Sequence, residues 1–254
     1  MYLGETITKD TTHRKDETNM EKQRRVMLKL SGEALAGEKK TGFDEEVVKD
    51  VARQVKLSVD QGVQVAIVIG GGNFWRGRSS NAIDRPKADQ IGMLATVMNC
   101  IYVSEIFRSV GMKTEIFTPF ACGAMTKLFS KDEANACFAE KKVAFFAGGT
   151  GHPYFSTDTT TVLRAIEIEA ETILLAKAVD GVYDSDPKTN PNAKKYDSVH
   201  IQEVIDQKLA VVDLTASILC MENKMPMLVF GLNEENSIIR AAKGEIDGTK
   251  VLVD

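Results

Sequence analysis

The stretch that most restricts the fold of this chain is an apolar run, Val143–Ala147, followed by a turn with three glycines and a cluster of Ser, Thr and Asp. The run predicts a buried strand because it is continuous rather than alternating. Thr157 or Asp158 is predicted to cap a helix that reaches about Ala170. A strand, a glycine turn and a helix start form the arrangement that receives phosphate groups, although ordinary strand–helix turns share the pattern.

A second glycine turn follows the strand predicted over residues 63–69. It contains Gly70, Gly71 and Gly72, with Arg76 close behind. Arginine offers a planar fork of donors that suits phosphate oxygens, whereas the alternative is a solvated loop arginine. Two anion-binding turns fit a donor and an acceptor that both carry phosphates.

The first predicted strand, residues 25–30, carries Lys29 near its carboxyl end, directly before Ser31 and Gly32. Open α/β sheets bind ligands at the carboxyl ends of their strands, so this lysine is placed to meet a phosphate. The alternative is a strand lysine whose ammonium reaches solvent.

The composition of the chain excludes several classes of protein. The chain has 254 residues, a formal net charge of −4 and four separated cysteines. This charge excludes a generally basic nucleic-acid surface, and the cysteines form no paired metal or disulfide motif. No signal peptide is visible and no apolar run approaches a membrane span, so we expect a cytoplasmic protein without a membrane partner. Residues 1–24 are polar and are predicted to be a flexible extension.

Residues 25–254 alternate predicted strands and helices without a repeat. This pattern predicts one α/β domain, with three α/β/α layers and a mainly parallel central sheet. Asp44, Ser130 and Asp213 are predicted helix caps. A long helix is predicted to follow Asp89 and to reach about Val110; its apolar residues cover more than one narrow stripe, which indicates burial against the sheet and against another subunit.

A turn-rich segment over residues 178–187 places Tyr183 among acidic side chains. A purine base could stack on this ring, and Asp186 could meet a ribose or an amine. The alternative is a surface β-turn.

Two common nucleotide motifs do not occur in the sequence: G-x-x-x-x-G-K-[ST] and G-x-G-x-x-G. Phosphoryl transfer depends on alignment and charge neutralisation, so glycines, Lys29, Arg76 and Asp158 suffice for it. A phosphate monoester acceptor has a second pKa near ~6 and needs no general base at neutral pH.

Taken in order from about Arg25 to the C-terminus, the chain resembles the bacterial uridylate (UMP) kinases of the amino acid kinase superfamily. The motifs that carry this resemblance are Lys29–Leu35, Gly70–Asn73, Arg76-Gly77, Gly92–Asn99, Gly149–Gly151 with Thr157-Asp158, and Val179–Tyr183 with Asp186-Pro187.

The resemblance implies Mg²⁺-dependent transfer of the ATP γ-phosphoryl group to UMP, giving UDP and ADP for UTP and CTP biosynthesis. It implies three catalytic residues: Lys29 neutralises charge on the transferring group, Asp158 orients this lysine, and Arg76 sits near the phosphates. The implied ATP-binding residues are Lys29, Leu30, Ser31, Gly32, Gly72, Arg76, Lys177, Tyr183 and Asp186. The implied UMP-binding residues are Gly71, Asp89, Thr150, Gly151, His152, Pro153, Tyr154, Phe155, Ser156 and Thr157. No residue is assigned as a direct metal ligand.

The resemblance also implies a homohexamer, activation by GTP and inhibition by UTP. Two other functions remain open at this point. One is a carboxylate kinase of the same superfamily, acting on glutamate or aspartate; the other is a non-catalytic sensor of uridine nucleotides.

Overall fold

The computed structural model describes residues 24–75 and 82–253. The predicted extension, residues 1–24, lies almost wholly outside this part of the chain, so it stays a prediction. The strands are β1 Arg25–Leu30, β2 Gln64–Ile69, β3 Lys113–Thr118, β4 Lys127–Leu128, β5 Lys142–Phe146, β6 Thr172–Lys177, β7 Val182–Tyr183, β8 Lys195–Tyr196, β9 Ser198–His200, β10 Met227–Gly231 and β11 Thr249–Leu252. The helices are α1 Gly32–Ala36, α2 Glu45–Asp60, α3 Arg85–Ser109, α4 Lys131–Ala139, α5 Thr157–Glu167, α6 Ile201–Asp206, α7 Leu214–Glu222 and α8 Ser237–Lys243.

A central sheet organises the molecule. Nine strands pair in the order β4-β3-β5-β2-β1-β6-β10-β11-β9. The pairs are parallel except for β10 with β11, while β7 and β8 form a separate antiparallel hairpin. The predicted α/β class with a mainly parallel sheet is therefore confirmed.

Helices cover both faces of the sheet and give the three predicted layers. One apolar core packs the sheet against α2, α3 and α8, and the other packs it against α4, α5, α6 and α7. Side chains alternate along β1: Leu28 enters the first core and Met27 the second. Lys29 therefore lies on the face that also carries α5.

Several predicted helix starts are confirmed by their caps. Asp44 accepts hydrogen bonds from the backbone of α2, Ser130 caps α4 and Asp213 caps α7. The predicted cap of α5 is wrong by one or two residues, because the hydroxyl of Ser156 accepts from the backbone amides of Asp158 and Thr159.

The predicted start of the long helix is also wrong. Helix α3 begins at Arg85, with Pro86 in its first turn, so Asp89 lies inside the helix rather than before it. Proline is tolerated in a first turn because the amide it lacks has no partner there.

By length and composition alone, α3 is apolar enough to cross a membrane, contrary to the expectation that no apolar run approaches a membrane span. Half of its most apolar window is buried within the protein. The buried residues, such as Val97, Cys100 and Phe107, belong to the core against the sheet, and this packing accounts for the apolar composition of that face.

Candidate active site

Four parallel strands end side by side at one edge of the sheet, in the order β5-β2-β1-β6. The two predicted glycine turns follow β2 and β5, and Lys29 and Lys177 occupy the ends of β1 and β6. This edge therefore gathers the predicted phosphate-binding segments in one place.

A close backbone approach fixes the first turn. Gly32 opens α1, and a Cβ atom on it would lie 2.5 Å from the carbonyl oxygen of Gly70 and would overlap the side-chain oxygen of Asn73. Asn73 and Asn99 exchange two buried amide hydrogen bonds, of 3.0 and 2.8 Å, and Asn99 also donates to the Gly70 carbonyl at 2.7 Å. These contacts hold the glycine turn against α3.

The central contact of the site is an ion pair. Lys29 Nζ lies 2.9 Å from Asp158 Oδ1, and the two side chains are 14% and 25% exposed. Asp158 stands in the first turn of α5, where the positive end of the helix dipole favours a carboxylate. The two residues are thus held together at the carboxyl ends of the strands, and the orienting role of Asp158 that the resemblance implies stays a prediction.

On one side of this pair lies a cavity of about 130 Å³, which we call the acceptor cavity. Its lining residues are Gly71, Trp75, Ala88, Asp89, Gly92, Met93, Thr96, Gly149, Thr150, Phe155 and Thr157. It thus brings together five of the predicted UMP-binding residues from three separate segments. The hydroxyl of Thr96 accepts a hydrogen bond of 2.8 Å from the Gly148 amide, which ties the second glycine turn to α3.

Other predicted UMP-binding residues stand apart from the cavity lining. His152 and Tyr154 are exposed. The hydroxyl of Ser156 is engaged as the cap of α5 and donates to the carboxylate of Asp213. The structure therefore gives Ser156 a supporting position at the start of α5.

A second cavity, of about 360 Å³, lies beyond the end of β6; we call it the donor cavity. Lys177, Tyr183 and Asp186 line it, together with the segment Gln207–Ala210. The Tyr183 hydroxyl donates to Asp180 at 2.8 Å, which orients the ring. The predicted ATP-binding residues of this half of the chain therefore meet in one cavity.

The remaining predicted ATP-binding residues surround β1. The side chain of Leu30 is fully buried, so only its backbone can meet a ligand. Ser31 caps α1 through a bond of 3.0 Å from the Ala34 amide, and Gly72 lies against Glu33. Arg76 lies outside the described residues, and its predicted role stays a prediction.

Lys177 has an unusual environment. Its ammonium donates to the carbonyl oxygens of Ala210, at 3.0 Å, and Val211. Burial lowers the pKa of Lys177 from 10.5 to about 8; the charge of Asp158 opposes this shift and that of Lys29 adds to it. The lysine is thus close enough to the Lys29–Asp158 pair to sense both charges, which connects the donor cavity to the pair.

Some residues of the site are not among those predicted from the sequence. The Asn73–Asn99 amide pair, Thr96 and Trp75 all support or line the acceptor cavity. Asn99 and Thr96 belong to the Gly92–Asn99 motif. The sequence therefore marks them as part of the resemblance, but it does not show which groups their side chains bind. In the structure, these polar groups on α3 hold both glycine turns.

Comparison with known proteins agrees with this geometry. Residues 24–231 match the amino acid kinase family. The structure is similar to the UMP kinase of Ureaplasma parvum, with a TM-score of 0.86 and 34% identity over 91% of this chain and 99% of that one. It is also similar to the UMP kinase of Bacillus anthracis, with a TM-score of 0.86 and 35% identity over 90% and 96% of the two chains. For the uridylate kinase of Archaeoglobus fulgidus the TM-score is 0.69 and the identity 29%, over 89% and 99%. The sequence motifs, the parallel sheet with its two glycine turns and these matches lead to one conclusion: the chain belongs to the amino acid kinase family.

Proposed function

We propose that this protein is a UMP kinase that transfers the γ-phosphoryl group of ATP to UMP, giving UDP and ADP. The observation that carries the proposal is the Lys29–Asp158 ion pair. It lies at the end of β1, between β2, whose following turn lines the acceptor cavity, and β6, whose last residue lines the donor cavity. The likeness to UMP kinases over nine-tenths of the chain supports UMP as the acceptor.

The chemistry follows from where the charges lie. As the γ-phosphoryl group passes to a UMP oxygen, negative charge spreads over its equatorial oxygens. The ammonium of Lys29 stabilises this charge, and Asp158 holds the ammonium in place. The glycine turns allow backbone amides to approach the phosphates. UMP is already mostly a dianion at neutral pH, so its attacking oxygen needs no base.

We propose that Mg²⁺ arrives with ATP. The described residues contain no cluster of three or more His, Cys, Asp or Glu side chains that could form a cage. Mg²⁺ usually keeps several waters and binds substrate phosphates, so an ion held mainly by the ATP phosphates and water fits this site. When bound, Mg²⁺ neutralises charge on the triphosphate.

Lys177 should make ATP binding depend on pH. Because burial lowers its pKa to about 8, Lys177 is positively charged below this pH and loses its charge above it. We therefore expect the KM for Mg-ATP to rise about three- to tenfold between pH 7 and 9, because the donor cavity loses a positive charge that favours the ATP phosphates. Steady-state kinetics across this range would measure it.

The matched variant is Lys177→Arg, which stays charged throughout the range and should have a KM that is nearly constant with pH. An equal rise of the KM in wild type and variant would assign the pH dependence to another group.

We further propose that the protein acts in the cytoplasm as a homohexamer, with GTP activation and UTP inhibition, in pyrimidine nucleotide biosynthesis. Self-association has support in α3, whose exposed apolar residues recur at helical spacing. They are Ile91, Leu94, Met98 and Ile101, which are 39–53% exposed in the single chain. Such a stripe fits a surface that another copy covers.

Replacing Leu94 by glutamate should therefore weaken the assembly, because a charge would enter an apolar interface. Light scattering after gel filtration should show the mass of six chains for wild type and a smaller mass for Leu94→Glu. The control is Leu57→Glu on α2, which changes a leucine of similar exposure, 47% against 53%, away from the stripe. A monomeric wild-type protein, or a hexamer that persists in Leu94→Glu, would contradict this role of α3.

An ADP-release assay with Mg-ATP tests the acceptor. UMP, CMP, dTMP, AMP, glutamate and aspartate are offered separately, and we expect strong activity with UMP alone. Activity with an amino acid would instead identify a carboxylate kinase. Saturable UMP binding without ATP consumption, in folded protein, would identify a nucleotide sensor.

A further inference from the structure

The acceptor cavity is lined by an acidic side chain, whose negative charge would repel a phosphate group unless a cation lies beside it. Among the described residues that line this cavity, Asp89 is the one with a charged side chain. Its side chain is only 13% exposed. A UMP dianion entering this space would meet a like charge at close range, which disfavours binding unless a cation offsets it.

Arg85, one helical turn earlier on α3, supplies that cation. Its Nε atom lies 2.9 and 2.8 Å from the two carboxylate oxygens of Asp89. Its guanidinium carbon lies 5.3 Å from the centroid of the Tyr154 ring, within the range of a cation–π contact. One arginine thus contacts both the wall of the cavity and the loop beside it.

The loop is tied to the same acid through its backbone. The Tyr154 amide donates to Asp89 Oδ2 at 2.7 Å. Tyr154 has a φ of +74°, an uncommon backbone conformation for a residue other than glycine. Its ring is 64% exposed, so the core does not hold it. The contacts with Asp89 and Arg85 therefore retain this segment, whose neighbours Thr150 and Phe155 line the cavity.

We propose that Arg85 is a positioning residue for the acceptor site. It offsets the charge of Asp89 and holds the Tyr154 loop beside the cavity, so that a nucleoside monophosphate dianion can bind. This inference rests on the proposed function, because it takes UMP as the acceptor.

The electrostatic role distinguishes UMP from uridine. Removing the arginine charge leaves Asp89 uncompensated, and the resulting repulsion acts on the phosphate but not on a neutral nucleoside. Charges several ångströms apart near a protein surface interact strongly enough to change affinity by about tenfold. A purely structural role of Arg85 would instead weaken both ligands alike.

Trp75 provides a direct readout of binding. It is the single tryptophan of the chain and lines the acceptor cavity, where its indole donates to the Ala88 carbonyl at 2.8 Å. Titrating the full-length protein with UMP and with uridine, while following tryptophan fluorescence, gives both dissociation constants without turnover.

The variants are Arg85→Gln, which removes the charge, and Arg85→Lys, which keeps it. The matched control is Lys87→Ala, which removes an exposed cation from the same helix turn. We expect Arg85→Gln to bind UMP about tenfold more weakly, with uridine affinity changed less than about threefold. Arg85→Lys should recover most of the preference for UMP, and Lys87→Ala should match wild type. In protein that already carries Asp89→Asn, adding Arg85→Gln should weaken UMP binding less than it does in wild type, because the acid that Arg85 compensates is gone.

The outcomes separate the two proposals. If wild type shows no UMP-dependent signal and no UMP turnover, the proposed acceptor is wrong and the inference falls with it. If wild type binds UMP but Arg85→Gln keeps the same ratio of UMP to uridine affinity, only the role of Arg85 is overturned. Equal weakening of both ligands would also overturn it.

Discussion

Replacing Lys29 by alanine is expected to reduce kcat with UMP and Mg-ATP by about 10²- to 10³-fold, the usual effect of removing one donor that stabilises transition-state charge. The lysine stands at the end of β1 with its ammonium 2.9 Å from Asp158. The role that we propose for this lysine is charge neutralisation, so its loss should appear in kcat. Steady-state kinetics with both substrates saturating measures the loss.

The protein should remain folded, because the lysine head lies at the site rather than in the core; thermal unfolding checks this point. A matched control is Lys56→Ala, which removes a lysine paired with Asp60 near the C-terminal end of α2, the end that leads into the start of β2. Its kcat should equal that of wild type. A Lys29→Ala enzyme with near-normal turnover would refute the charge-neutralising role.

Gly32→Ala should cause the second large effect, this time on stability. The added methyl group would lie 2.5 Å from the Gly70 carbonyl oxygen and would overlap the Asn73 side chain. Neither atom can move without disturbing the buried amide pair with Asn99. We expect a loss of about 3 kcal/mol in the free energy of unfolding, as in overpacked cores. For a chain of this size that corresponds to a Tm lower by about 6–12 °C.

The matched control is Gly70→Ala in the same turn. A Cβ there would lie 3.6 Å from the Gly32 nitrogen and from the Thr157 hydroxyl, which is ordinary contact. Urea unfolding of both variants should therefore show a large loss for Gly32→Ala and a small one for Gly70→Ala. Equal stability of the two would mean that the turn is looser than the structure shows.

Much of the fold follows from local signals in the sequence. Continuous apolar runs gave the strands of the sheet centre, because strands buried on both faces need no alternation. Very short elements, such as the strand Lys127–Leu128 and helix Gly32–Ala36, escaped prediction. Their formation depends on neighbours that are distant in sequence, and two to five residues carry no periodicity.

In the site, too, some residues have a local signal in the sequence and others do not. Lys29 and Asp158 each had a local signal, a strand end and a helix start, and parallel strand order then brings them together. Arg85 carries no such local signal. With a helix predicted to begin only after Asp89, the sequence does not place Arg85 and Asp89 one turn apart on the same helix. Pro86 was the available clue, since proline favours the first turn of a helix. The Asn73–Asn99 contact joins the first glycine turn to helix α3 and could come only from tertiary structure.

Phosphoryl transfer from ATP to UMP is tested most directly by ³¹P NMR of the products that the wild-type protein forms from Mg-ATP and UMP. We predict that UDP and ADP appear in equal amounts, and that Lys29→Ala forms neither at a comparable rate. ADP without UDP would mean that the site hydrolyses ATP rather than transferring its phosphoryl group, and would contradict the proposed function.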